Sequence, residues 1–235
     1  MLTVLAVLPA IYLMYYIYKN DQVEKEPKGL LAKIFVFGMI STIPTIIIGV
    51  MLEGILGIFL EPGSGLYNFL DMFIVVALVE EFWKRWAAKR AWKNPAFNYR
   101  FDAVVYCVFA ALGFAALENI LYVMEGGIYV AVIRALTAVP SHAIDGVLMG
   151  IFFGEAKVRE RRGDEAGQKK HWKLSLLVPM IAHGFYDFCL VAPWEWTGIL
   201  FVVFVIAIDV WAVKYIKMAS AEDERIAGFD NHSTE

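Results

Sequence analysis

Charged residues are scarce in this sequence, and cysteine is nearly absent. Asp, Glu, Lys and Arg make up 19% of the 235 residues, whereas 60% are hydrophobic. Soluble domains are about half apolar, so the composition argues against a water-soluble enzyme. The two cysteines, Cys107 and Cys189, both lie within apolar stretches, where a thiol is typically a small core side chain. They predict neither a disulfide nor a thiolate metal site.

Several hydrolase signatures are missing as well. The sequence has no His-Glu-x-x-His, which zincins use to bind zinc, and no Gly-x-Ser-x-Gly nucleophile elbow. No pair of aspartates in apolar stretches has a Gly-rich segment beside it. The chemistry-bearing residues that remain are a glutamate pair, a further glutamate and two histidines.

What the sequence does contain is a series of long apolar blocks. A helix needs about 20 mostly apolar residues to cross a bilayer. The sequence therefore predicts an all-α, polytopic membrane helix bundle of about seven transmembrane helices, in a multi-pass protein of the cell membrane. Residues 1–235 are expected to form a single membrane-embedded domain, with the lipid bilayer and not nucleic acid as a partner. The blocks lie near 2–18, 30–50, 66–83, 103–124, 128–153, 174–192 and 196–216.

Basic residues mark alternate links between these blocks. They cluster at 19–28, 84–100, 157–173 and 214–225, whereas the links near 51–66, 125–127 and 193–195 contain no Lys or Arg. Because basic links stay in the cytoplasm, the alternation predicts an N-terminus outside the cell and a cytoplasmic C-terminus. Arg134 does not fit this scheme. It is expected to pair with Glu118 or Glu125 across a short outer turn, or to extend to the outer headgroups.

Ionisable residues nevertheless occur within the apolar blocks. A charged side chain in the middle of a bilayer costs at least ~2.5–3.5 kcal/mol on insertion scales, so these residues should face the bundle interior and have partners. So many together indicate a polar cavity, although internal ion pairs that fix helix packing would use the same residues. The set is Glu80, Glu81, Glu118, Arg134, His142, Asp145, His183, Asp187 and Asp209.

The glutamate pair has a lysine at helical spacing. Glu80 and Lys84 are four residues apart and share a helix face, and Glu81 and Lys84 are three apart. One lysine beside two carboxylates neutralises one of them, which leaves the other available as a general base. The structural alternative is that Lys84 only marks the end of the third helix.

Two histidines are expected at mid-depth. His183 and Asp187 are four residues apart, so the carboxylate can orient the imidazole. His142 follows Pro140, which predicts a kink just before it. In the same block, glycines at 146, 150 and 154 predict a close-packing seam between helices.

Four segments together resemble the motifs of the PrsW-type intramembrane proteases, over about residues 70–190. The family is related to the CAAX-prenyl endopeptidases, whose second motif ends in His where this chain has Glu118. The segments, in the expected order, are EEFWK at 80–84 (EExxK), FAALEN at 114–119 (FxxxEN), SHA at 141–143 and HGFYD at 183–187 (HxxxD).

The resemblance implies an intramembrane endopeptidase that cleaves a membrane-anchored protein, and some relatives clip a membrane-bound anti-sigma factor. It implies catalytic roles for Glu80, Glu81, Lys84, Asn119 and Asp187. Either glutamate would activate a water for attack on the scissile carbonyl. Glu80 is favoured because it shares its face more fully with Lys84.

The resemblance also implies one divalent metal, with Glu118, His142 and His183 as ligands. Two imidazoles and a carboxylate suit zinc, and Asp187 would fix the tautomer of His183. In the alternative, metal-free mechanism the histidines donate hydrogen bonds to the oxyanion, with Asn119 helping. The metal is favoured because an ionised carboxylate only accepts hydrogen bonds and is a poor oxyanion donor.

Two other functional classes remain open at this point. A membrane scaffold or chaperone would use the same polar cavity for packing or peptide binding, because fold does not determine function. A transporter or proton relay would also hold acids in mid-membrane. The sequence shows no internal repeat of the kind common in transporters, which disfavours that class.

The alternation of basic links can be tested with reporter fusions. Fusions after Gly126 and after Gly163 are expected to report opposite sides of the membrane, because the first follows a link without basic residues and the second lies in a strongly basic one. Alkaline phosphatase and green fluorescent protein signals would be measured in intact cells. Signals from the same side would contradict the predicted orientation.

Overall fold

The computed structural model describes residues 2–226, and the regular elements of this part of the chain are helices. A π-helical segment (Asp71–Leu78) and a 3-10 turn (Lys89–Ala91) flank the fourth α-helix. The α-helices are α1 (Leu2–Asn20), α2 (Lys28–Phe59), α3 (Gly65–Leu70), α4 (Val79–Ala88), α5 (Asp102–Leu136), α6 (Ala138–Arg161), α7 (Glu165–Val191) and α8 (Thr197–Ala221).

Large apolar side chains point outward from this bundle, and ionisable side chains point inward. Ile58 of α2 and Ile199 of α8 are 77% and 70% exposed, whereas Glu81 and Lys84 are completely buried. That distribution suits a lipid solvent. Five helical stretches are long and apolar enough to cross a membrane, and one of them runs from Asp102 to Arg161 and contains both α5 and α6. The multi-pass character is confirmed, whereas the count of seven and the orientation stay predictions.

The third expected helix, near 66–83, is not continuous. It is divided into α3, the π-helical segment and α4, and it is not among the five membrane-length stretches. The second helix is longer than expected, because α2 continues to Phe59 and shortens the link predicted near 51–66.

The turn expected at 125–127 takes a different form. Gly127 adopts φ 69° and ψ −156°, a conformation that only glycine adopts readily. The chain then continues as helix to Leu136, and α6 begins at Ala138 after a second break at Thr137. Arg134 therefore lies on the last helical stretch of α5, after the break at Gly127, and its side chain reaches back to Glu118 in the part of α5 before the break.

Pro140 lies close to the beginning of α6, just after the break at Thr137. It lies in the first turn of α6, where an N–H has no helical partner and proline is tolerated. The helix expected over 128–153 is broken at Thr137, three residues before Pro140, which confirms an interruption before His142. His142 then sits near the beginning of the regular helix that follows.

The glycine seam is confirmed, and it joins α6 to α5. A Cβ at Gly146 would meet the backbone at Val108, and a Cβ at Gly150 would meet the backbone of Val104. Because α5 also contacts α1, α2 and α4, it forms the centre of the bundle, and the seam sets how near His142 approaches its face.

The seam gives a stability test. Gly150→Ala is expected to destabilise the protein by about 1–3 kcal/mol, because an added methyl group overpacks the α5–α6 contact. Gly54→Ala is the matched control, since nothing lies within 4 Å of a Cβ at that helical glycine and alanine favours the helix there. Thermal midpoints in detergent would be compared. A midpoint for Gly150→Ala at or above that of the control would contradict the close packing.

Candidate active site

The glutamate pair opens α4 directly after the π-helical segment. Short π-helical turns within helices are frequent at functional sites, because their wider turn redirects the side chains that follow. Phe73 in this segment packs against Gly184 of α7 so closely that a Cβ at Gly184 would overlap the Phe73 ring. This approach of α7 brings His183 beside Glu81.

Nearly all the ionisable residues of the apolar blocks meet at one site. The hydrogen bonds and ion pairs described below connect α4, α5, α6 and α7. Asp209 is the exception, since it lies on α8 and lines an apolar groove with Leu13 and Val147. The members that meet are Glu80, Glu81, Glu118, Arg134, His142, Asp145, His183 and Asp187, together with Lys84.

Lys84 lies at the centre of the site. Its Nζ is 2.7 Å from Glu81 Oε1, 3.1 Å from Glu80 Oε2 and 2.9 Å from His142 Nδ1. The fourth side is closed by the Phe114 ring, whose centroid is 4.7 Å away. The helical spacing that predicted the two glutamate contacts is confirmed, and the contact with His142 is an additional one. Because an ammonium group only donates, His142 Nδ1 accepts this hydrogen bond.

His183 lies between carboxylates on both sides of its ring. Its Nε2 is 3.1 Å from Asp187 Oδ2 and 3.7 Å from Glu80 Oε2. On the other side, Nδ1 is 2.9 Å from Glu81 Oε1 and 3.6 Å from Asp145 Oδ2. The predicted contact of Asp187 with His183 is confirmed. These contacts fix the plane of the imidazole against both α4 and α6.

His142 connects Lys84 to a second ion pair. Its Nε2 lies 3.0 Å from Glu118 Oε2, and since Nδ1 accepts from Lys84, Nε2 carries the proton and donates it. The same Glu118 oxygen accepts from Arg134 Nη2 at 2.6 Å. The prediction that Arg134 pairs with Glu118 or Glu125 is therefore confirmed, with Glu118, which precedes the break at Gly127 in α5, as the partner.

Asn119 lies away from the reacting side of this network. Its Nδ2 donates to the Ala6 carbonyl at 2.7 Å, and its Oδ1 accepts from Arg134 Nε at 2.7 Å. It is completely buried and does not line the cavity. Asn119 therefore does not have the position of an oxyanion donor that was expected above. It instead holds the Arg134 side chain beside Glu118.

A cavity of about 390 Å³ opens onto one side of the network. Glu81, Lys84 and Asp145 do not line it. They form a buried layer behind its wall, and the two glutamates of the pair therefore have different access to water. The ionisable residues that line the cavity are Glu80, Glu118, Arg134, His142, His183 and Asp187.

Two groups of side chains are arranged so that they could hold a metal ion. Ligand atoms of Glu80, His142 and His183 lie within 4.8 Å of one another, as do those of Glu81, Asp145 and His183. The first group faces the cavity and has the donors that suit zinc. Its carboxylate is Glu80, whereas Glu118 was expected, and Glu118 is instead bound by Arg134 and His142.

The charge balance of the site also favours a bound cation. Only two basic side chains, Lys84 and Arg134, take part in the network that the described residues form. Glu81 Oε2 is buried without a hydrogen-bond partner, and Asp145 Oδ2 is buried with His183 Nδ1 at 3.6 Å. Buried carboxylate oxygens without partners are costly. The carboxyl groups gathered here are those of Glu80, Glu81, Glu118, Asp145 and Asp187.

Asp145 has a place in the site that the sequence did not assign. It follows His142 by three residues, so both lie on nearly the same face of α6, and that spacing is the signal by which it could have been found. Tyr122 is a second residue of this kind. It lines the cavity, and the Arg134 guanidinium lies 4.1 Å from the centroid of its ring.

Comparisons with known proteins agree with this arrangement. A family model described as PrsW family intramembrane metalloprotease matches residues 26–213. The Protease PrsW of Geobacillus kaustophilus is 34% identical over 216 residues, which cover 91% of this chain and 89% of that protein. The Protease PrsW of Bacillus subtilis is 34% identical over 189 residues, which cover 80% and 82%. That of Oceanobacillus iheyensis is 31% identical over 233 residues, which cover 96% and 99%. No solved structure is significantly similar to the chain.

Proposed function

The chain belongs to the PrsW family of intramembrane metalloproteases, and we propose that it hydrolyses a peptide bond of a membrane-anchored protein with a water that Glu80 activates. The observation that carries this assignment is the difference between the two glutamates. Glu80 lines the cavity, whereas Glu81 is completely buried and bound by both Lys84 and His183. Only Glu80 can meet a water that enters with the substrate.

The proposed chemistry needs one proton acceptor and one place for developing negative charge. The water oxygen bonds to the scissile carbonyl carbon while its proton passes to a Glu80 oxygen. When the C–N bond breaks, that proton moves to the leaving amine. Glu81 binds and positions Lys84 and His183. Lys84 in turn positions Glu80, since its Nζ lies 3.1 Å from Glu80 Oε2 on the side away from the cavity.

His142 and His183 line the same cavity. In the metal-free case, the Nε2–H of His142 or of His183 would leave its carboxylate partner, Glu118 or Asp187, and donate to the former carbonyl oxygen.

We propose zinc as the metal. His142 and His183 would hold it. The third donor would be Glu118, as expected from the sequence, if Glu80 is the base, or Glu80, in which case another group would have to accept the proton of the water. Bound there, a divalent metal would polarise the scissile carbonyl as a Lewis acid. The donor types fit, and the three ligand atoms already lie within 4.8 Å of one another. Binding would require one His142 nitrogen to give up its hydrogen bond with Lys84 or Glu118.

The proposed substrate is a single-pass membrane protein, and an anti-sigma factor is the class that the family resemblance implies. The buried position of the site between apolar helices supports this, because a soluble protein cannot reach it. We also propose the predicted topology, with seven membrane crossings and an N-terminus outside. In that topology the divided segment α3–α4 is the third crossing.

The first test of this function uses the two glutamates. Glu80→Gln and Glu81→Gln are each expected to lower the cleavage rate by ~10²–10⁴-fold, because one removes the general base and the other releases Lys84 and His183. The purified variants would be incubated in detergent with a library of single-pass membrane proteins, and new termini would be counted by mass spectrometry. Glu165→Gln is the control, since that carboxylate is exposed. Near-normal turnover by Glu80→Gln would refute the general-base role, and an absence of turnover in the wild type would favour a scaffold.

The second test measures metal content and needs no substrate. The purified protein is expected to carry about one equivalent of zinc, and His142→Ala and His183→Ala are expected to lose it. Glu80→Gln loses the metal if Glu80 is the third donor, and Glu118→Gln loses it if Glu118 is. Inductively coupled plasma mass spectrometry gives the measurement. Active protein that contains no metal would overturn the metal site and leave the two histidines as hydrogen-bond donors.

A further inference from the structure

A second cavity, of about 490 Å³, adjoins the catalytic one. It is enclosed by α2, the π-helical segment and α5. Both cavities are lined by Met72, Val76, Glu80, Glu118 and Tyr122, so Glu80 and Glu118 stand at the boundary between them. An extended peptide with its scissile bond at Glu80 therefore has a continuous path into the second cavity.

The charged residues of the second cavity are all acidic. Besides the two glutamates at the boundary, it is lined by Glu53, Asp71 and Glu125, and no Lys, Arg or His of the described chain lines it. Arg134 lies close by, but its guanidinium is bound by Glu118 and Asn119. The cavity thus lacks a cation of its own.

Asp71 is the residue that points to a ligand. Its side chain lines the cavity, and the residue is only 9% exposed. The Asp71 carboxyl group forms no hydrogen bond or ion pair with any residue between 2 and 226. The carboxylate of Glu53, which is also negative, repels the carboxylate of Asp71. A cation that entered this cavity would offset the repulsion between these two carboxylates.

We propose that this second cavity is a specificity subsite for a lysine or arginine side chain of the substrate. This inference rests on the proposed function, since it assumes a peptide bound at Glu80. The walls suit such a side chain. Ile46, Val50 and Val75 line the cavity and can cover the apolar stem of the side chain, while its charged end reaches the carboxylates.

The distance along the chain fixes where the basic residue should be. Asp71 precedes Glu80 by nine residues, which corresponds to at most ~13 Å, because the π-helical segment is wound more widely than an α-helix with its rise of ~1.5 Å per residue. An extended peptide covers that distance in about four residues. The substrate should therefore carry its Lys or Arg about four residues from the scissile bond, on one side only.

Binding is tested with peptides on a catalytically silent background. The full chain with Glu80→Gln, in nanodiscs, is titrated with fluorescein-labelled peptides that share one apolar segment and carry a single Lys or Gln about two to eight residues from its centre. The Lys peptide is expected to bind about tenfold or more tightly than the Gln peptide at the best position. Adding Asp71→Asn should remove most of that preference, and Asp71→Lys should reverse it toward a Glu peptide.

Controls separate a charge effect from misfolding. Glu61→Gln removes an exposed acid outside the cavity and should leave the Lys preference unchanged. The double variant Glu53→Gln, Glu125→Gln changes only exposed positions and should reduce the preference several-fold without loss of thermal stability. Equal binding of Lys and Gln peptides by the parent protein, or a preference that survives both Asp71→Asn and the double variant, overturns the subsite.

The same peptides distinguish this inference from the proposed function. Wild-type protein that hydrolyses Lys and Gln peptides at equal rates refutes the subsite and leaves the protease assignment intact. A Lys preference that depends on Asp71, in a protein that hydrolyses none of the peptides, supports the cation subsite and counts against Glu80-dependent hydrolysis.

Discussion

The ammonium group of Lys84 is the interaction on which the rest of the site depends. A charged lysine in mid-membrane costs at least ~2.5–3.5 kcal/mol on insertion scales, and this one is completely buried. Its stability there requires all its partners at once, namely Glu80, Glu81, His142 and the Phe114 ring. Because these partners belong to α4, α5 and α6, the requirement fixes three helices relative to one another. The cost of burying the Lys84 charge thus restricts how α4, α5 and α6 can be arranged around the site.

That constraint also makes two adjacent glutamates unequal. Both lie within 3.1 Å of Lys84, but Glu81 is bound a second time by His183 and has no access to the cavity, whereas Glu80 lines it. An EExxK sequence on one helical turn therefore supplies one carboxylate that is fixed and buried and one that is accessible from the cavity. The π-helical segment just before the pair determines which of them faces the cavity, since a change of one residue in the turn would rotate α4 and exchange their positions.

The sequence predicted the parts of the site that follow from local spacing or from the cost of an unpaired charge. Contacts at four-residue spacing, Glu80 with Lys84 and His183 with Asp187, form at about 3.1 Å, because helix geometry alone brings such residues together. The pairing of Arg134 with an acid was predicted because a guanidinium group surrounded by lipid requires a carboxylate partner, and Glu118 is that partner. The carboxylate that completes the group with the two histidines was not predicted, because it depends on the rotation of α4, and a π-helical segment has no recognisable sequence pattern. The link expected at 125–127 and the interruption expected before His142 appear as the breaks at Gly127 and Thr137, but the short helical stretch between them was not predicted.

The distribution of charge along the chain links orientation to specificity. The links near 51–66 and 125–127 contain no basic residue, and Glu53, Asp71 and Glu125 line the cavity beside them. In the predicted orientation these residues face the outer leaflet. Most single-pass proteins have few Lys or Arg residues there, because basic residues keep their segments in the cytoplasm. An acidic cavity at the outer end would therefore find its cationic partner in only a small fraction of membrane proteins. A single basic side chain in the substrate would thus be enough for an intramembrane protease to select among many membrane helices, without recognition of a long sequence motif.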